Sequence, residues 1–167
     1  LELSIDGGGT VIAEDDKTIL VMGPQFASSA DQVFRVGDPS TTASTITITD
    51  DATAASIGAA RDLRILIPTS LAMVWDTSVT APVFGGSGAA RLAATVSYPD
   101  SRTLVIDVTA DFVSAEVLTI SGLKFKDFTT PSGPDSLQLI VSVTGAVSNT
   151  DAKTITIGGV ASLTSAS

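Results

Sequence analysis

Residues 91–128, RLAATVSYPDSRTLVIDVTADFVSAEVLTISGLKFKDF, hold three successive segments in which apolar side chains recur at every second position with turn residues between them. Leu92, Ala94, Val96 and Tyr98 share one face, Pro99-Asp100-Ser101 makes a turn, and Leu104, Ile106 and Val108 resume the period of two. A helix cannot keep that face, because its side chains repeat at 3.6 residues rather than two. Leu118 and Ile120 continue the pattern as far as Gly122, beyond which the inward set moves to Leu123 and Phe125, as it does across a β-bulge or a strand end. The stretch predicts an antiparallel meander.

The rest of the chain reads the same way. Residues 18–22 (TILVM) form a near-continuous apolar run closed by Pro24, residues 32–36 (QVFRV) a short strand, and residues 45–49 (TITIT) a strand with Ile46 and Ile48 inward. Residues 61–68 and 71–75 predict two more strands, and 77–90 a polar, glycine-rich loop anchored by Val83-Phe84. Residues 129–135 predict a Pro/Gly turn, 137–143 a clear strand face and 153–157 the last strand. Residues 52–60 fit either a single helical turn or a loop. Roughly nine to eleven short strands at this spacing define an all-β antiparallel β-sandwich. With 167 residues, one domain is expected: an N-terminal arm or edge strand over 1–17, a sandwich over 18–158 and a small polar tail over 159–167.

Composition narrows the chemistry. Nine Lys and Arg stand against eighteen Asp and Glu, giving a formal charge of -9 with the basic residues scattered, which argues against nucleic acid and anionic membrane surfaces. No apolar run approaches the roughly 20 residues of a membrane helix. There is no Cys and no His, so disulfides, zinc–thiolate sites and the Ser-His-Asp and Cys-His solutions are excluded. Ser87 lies in a GGSGA segment that nears the nucleophile-elbow pattern but lacks the histidine a triad needs. The glycine-rich turns at 6–9 and 85–88 are not followed by Lys-Ser/Thr, so they do not make phosphate cradles. Asp107, Asp111 and Glu116 could be paired as a glycosidase acid and base, yet carboxylates are expected by chance in so acidic a chain. The chain is therefore expected not to be an enzyme.

Three groups of candidate functional residues remain. The doublets Asp15-Asp16 and Asp50-Asp51 lie at loop edges where carboxylate and carbonyl oxygens can gather calcium, the alternative being solvated acidic loops. Trp75, Phe84 and Tyr98 are the candidate contacts of a carbohydrate- or protein-binding module, with a core role as the plainer reading of Trp75. Leu1, Leu3 and Ile5 alternate with Glu2, Ser4 and Asp6 ahead of Gly7-Gly8-Gly9. That pattern fits an edge strand of the chain's own sheet or an arm that adds to the sheet of a second copy.

The span 45–128 resembles the Ig-like and cohesin-like β-sandwich domains of large bacterial and archaeal surface proteins, including S-layer and adhesin types. The likeness is carried by DLRILIP at 62–68, TLVIDV at 103–108 and VLTISGL at 117–123. It implies an extracellular, cell-surface module without catalysis. The resulting expectation is a structural subunit of a filament, tube or surface layer, joined to copies of itself by β-strand addition. The alternative is an adhesion module for carbohydrate or a protein ligand.

Overall fold

The computed structural model describes residues 2–3, 13–14, 23–141 and 145–160. Strands β1 (Glu2–Leu3) and β2 (Ala13–Glu14) pair antiparallel, with Glu2 opposite Glu14 and Leu3 opposite Ala13. The strand expected over 18–22 lies outside the described residues. From Gly23 the chain runs through β3 (Gln25–Ser28), β4 (Gln32–Arg35), β5 (Thr41–Thr42) and β6 (Ile46–Thr49). Next come β7 (Leu63–Leu66), β8 (Val74–Trp75) and β9 (Val83–Gly85). A 3-10 turn at Ser87–Arg91 leads into β10 (Leu92–Asp100), the longest strand, and β11 (Thr103–Val108) returns beside it. The last strands are β12 (Val117–Ser121), β13 (Lys124–Lys126), β14 (Ser132–Asp135), β15 (Gln138–Ile140), β16 (Asn149–Thr150) and β17 (Ile155–Gly158).

The protein is an all-β sandwich. One sheet is ordered β10-β11-β7-β15-β16 and a second β3-β6-β12-β9; two three-stranded sheets, β5-β13-β8 and β14-β17-β4, complete it. Leu63, Ile65, Leu104, Ile106, Val108 and Leu139 from the first sheet meet Phe26, Ile46, Ile48, Leu118 and Ile120 from the second in one buried cluster. Each such side chain contributes about 1.5–3 kcal/mol by leaving water, which makes this inner layer the main source of stability. An aromatic group extends it: Phe34 stacks on Phe128 with ring centroids 4.7 Å apart, and Phe125 lies 4.7 Å from Trp75.

The strands expected over 91–128 are present as β10 to β13, but the meander is not: only β10 and β11 pair with each other, while β12 pairs with β6 and β9 and β13 with β5 and β8, so the stretch passes through three sheets. At Gly122 the chain takes φ +83°. The buried set passes there from Leu118 and Ile120 to Leu123 and Phe125, so a single chain path serves two sheets. Three further expectations are corrected. Strands are more numerous than nine to eleven, with fifteen from β3 to β17, because short strands such as β3, β5, β16 and, inside the loop expected over 77–90, β9 form where the sequence has no apolar alternation. Residues 132–135 form strand β14 rather than a turn, paired with β17. One ladder, β4 with β17, is parallel in an otherwise antiparallel set among the described residues.

The glycines at 85–88 have a packing reason. A Cβ on Gly88 would lie 2.6 Å from the Phe112 ring, and one on Gly85 would lie 2.6 Å from Thr119 Oγ1. Gly86, at φ +81°, would place its Cβ 2.3 Å from the Val117 carbonyl oxygen. Only bare backbone lets the 3-10 turn approach β12 this closely.

Candidate functional site

The Asp50-Asp51 doublet is built into its loop. Asp50 is 2% exposed. Its carboxylate accepts from the N–H groups of Asp51 (2.8 Å), Ser56 (2.9 Å) and Ile57 (3.2 Å), and from the Ser56 hydroxyl (2.6 Å). Asp51 accepts from Thr53 N–H (2.7 Å), Ala54 N–H (3.1 Å) and Gly23 N–H (3.4 Å). The Thr53 and then the Ala54 amide hold its pKa below the usual carboxylate range. Residues 52–60, ambiguous in the sequence, are thus a loop whose unpaired amides are answered by two carboxylates. Calcium needs six to eight oxygen ligands, whereas these oxygens face N–H donors. Asp15 and Asp16 lie outside the described residues. No group of three or more metal-ligating side chains occurs among the described residues.

The same use of carboxylates recurs. Asp151, buried, accepts from Ser28 N–H (2.7 Å), the Ser28 hydroxyl (2.5 Å) and Lys153 N–H (2.9 Å). Glu116, also buried, accepts from Val113 N–H (2.9 Å) and lies 3.4 Å from Arg91 Nε. Asp111 Oδ1 accepts from Ala59 N–H (2.8 Å). Asp76 binds the Ser40 hydroxyl (2.5 Å) and both the amide and hydroxyl of Ser78, chiefly the two hydroxyls lowering its pKa to about 2.

The aromatic candidates do not form a platform. Trp75 is wholly buried, its indole N–H donating to the Arg102 carbonyl (3.0 Å), so it takes the core role, the plainer reading of it, and not the contact role of the alternative binding module. Phe84 and Tyr98 are half-buried against the core. The Tyr98 hydroxyl donates to the Val79 carbonyl (2.7 Å), and burial, with a smaller contribution from Asp76, pushes its pKa up to about 12.

Of the proposed arm, Leu1 and Ile5 lie outside the described residues. Leu3 belongs to β1 and has Ala13 of its own chain as register partner. The long edge strand β10 is a poor acceptor: it carries register shifts between Leu92 and Val96 and between Ser97 and Asp100, and the Thr80 carbonyl already takes its Val96 N–H (2.9 Å). Strand β4 has a free side on which Val33 is 76% exposed, although Asp38 Oδ2 takes the Arg35 N–H (2.8 Å) there. Strand β9, three residues long, is the free edge of the second sheet and exposes Val83.

Sequence reasoning missed Arg102. Its guanidinium donates to the carbonyls of Pro68 (2.6 Å), Leu71 (2.5 Å) and Met73 (2.9 Å), pinning the segment that carries Trp75. An Arg after a Pro-Asp-Ser turn gives no signal of this. Also unanticipated is an open recess of about 460 Å3 lined by Ser56, Ile57, Gly58, Arg61, Asp111 and Phe112. No family model matches the chain, and no curated protein is significantly similar to it.

Proposed function

We propose that the chain is a non-catalytic structural module of an extracellular assembly of filament, tube or surface-layer type. The observation that carries this reading is the employment of its buried carboxylates. Asp50, Glu116 and Asp151 each accept main-chain N–H groups, so the chemistry they supply is the fixing of loops and strand ends. The half-buried or buried state of the aromatic candidates favours this reading over an adhesion module.

Subunits join through residues 1–6, whose main chain pairs with an edge of a second copy while Leu1, Leu3 and Ile5 enter its pockets. The ladder of β1 with β2 is only two residue pairs long, so exchanging it for an intermolecular one costs little. Electron microscopy and light scattering of the intact chain and of a chain lacking residues 1–6 test this. Assembly of the intact chain and its loss on truncation are expected; equal assembly of both overturns the mechanism.

A further inference from the structure

Between Gly23 and Val160 the chain enters the sandwich at one end and leaves it at the other. Gly23 lies beside Asp51, next to the pairing of Gln25 with Thr49, the last residue of β6. At the opposite end of the β5–β6 path Thr41 pairs with Phe125. There Gly37 N–H donates to the Phe128 carbonyl (3.0 Å), and Gly158, the last residue of β17, pairs with Arg35.

The entering and leaving segments are joined along their length. Asn149 Nδ2 donates to the Pro24 carbonyl (2.8 Å), Ala152 N–H to the Phe26 carbonyl (3.3 Å), and Ser28 to the buried Asp151 carboxylate. Thr154 N–H donates to Asp31 Oδ1 (2.8 Å), Gln32 N–H to the Thr154 carbonyl (2.9 Å) and Val36 N–H to the Gly158 carbonyl (3.0 Å). Strands β4 and β17 run parallel here in unbroken register, from Gln32 opposite Ile155 to Arg35 opposite Gly158. Phe34, Ile155 and Ile157 are buried on their inner face.

Direction decides how such a ladder meets tension. Two parallel strands, one pulled from its N-terminal side and the other from its C-terminal side, must slide past each other, so all their hydrogen bonds are loaded together. Antiparallel strands pulled in the same way part from one end, bond by bond. Sliding is opposed further by the core, because a shift of one residue would turn Phe34 outward and the exposed Val33 inward.

We propose that the β4–β17 seam is a clamp that bears tension along the chain. This inference rests on reading the chain as a structural module, and gives that module a mechanical task. Single-molecule force spectroscopy on the full chain tests it, and the absence of Cys allows thiol handles to be placed at will. One handle is fixed at the C-terminal end. The second is introduced as Ala30→Cys, ahead of β4, or as Pro39→Cys, behind it, both at exposed positions. The first geometry loads β4 and β17 in shear, the second peels them from a shared end. The rupture force is expected to be at least about twofold higher in the first geometry, since the bonds then share the load. Equal forces, or a higher force from position 39, overturn the clamp. Failure of the intact chain to assemble, with the force difference intact, overturns the assembly reading alone; equal forces in a chain that assembles do the reverse.

Discussion

Asp50 and Arg102 hold two irregular segments by opposite means. Asp50 is an acceptor that gathers the amides of Asp51, Ser56 and Ile57. Arg102 is a donor that gathers the carbonyls of Pro68, Leu71 and Met73. Both satisfy main-chain groups that no ladder reaches, and the difference lies in what each leaves behind when removed. An N–H has one hydrogen to place and is seldom left unpaired inside a protein, whereas a carbonyl with two lone pairs tolerates a missing donor better. The acceptor staple is thus the more exacting of the two.

Asp50→Ala is expected to give the largest effect, a loss of about 3 kcal/mol, because the buried Ile57 amide and the part-buried amides of Asp51 and Ser56 lose their acceptor at once. Urea unfolding followed by circular dichroism measures it. Arg102→Met keeps most of the aliphatic volume and also removes the buried Nε, which has no hydrogen-bond partner. Its loss is expected to be about 2 kcal/mol. A larger loss for Arg102→Met than for Asp50→Ala would break the ranking of stranded amides above stranded carbonyls.

The smallest expected effect lies in the pH dependence set by other carboxylates that accept main-chain and hydroxyl hydrogen bonds. Asp76, its folded pKa depressed from 3.8 to about 2, contributes stability that is present above about pH 4 and lost as pH falls through about 2. Asp31, Asp51 and Asp100 are shifted in the same direction, each chiefly by main-chain amides. The urea midpoint should therefore be flat from about pH 5 to about pH 9 and fall between about pH 4 and 2. Asp76→Asn should make that fall shallower, while Arg102→Met should lower the whole curve, with only a minor change in its acid limb from the loss of the charge beside Asp100. An acid limb as steep in Asp76→Asn as in the parent chain removes Asp76 from the account.

Much of the inner layer is legible in the sequence. The alternation of Leu104, Ile106 and Val108, and the change of parity after Gly122, follow from the period of a strand and the freedom of a glycine, both local properties. Partners are not local. Strands β4 and β17 lie more than a hundred residues apart, and QVFR and ITIG carry no sign that they meet in parallel. Strand β14, SGPD, has no apolar alternation and is a strand only because β17 lies beside it. The acidic doublet is visible as a doublet, but whether its oxygens meet a cation or amides depends on how the next seven residues fold back. The aromatic candidates fail at Trp75 for a related reason, since the indole is covered by residues distant in sequence, Phe125 among them.

The packing of residues 85–88 against β12 bears on how kin of this chain are to be recognised. Aliphatic positions in the sandwich can exchange Val, Ile and Leu freely enough to erase ancestry, whereas Gly85, Gly86 and Gly88 are each fixed by an atom already in place. A related chain should keep this Gly-Gly-x-Gly ahead of its longest strand, with an aromatic residue where Phe112 lies and a strand passing beneath. That short signature would outlast the apolar alternation on which the fold itself depends.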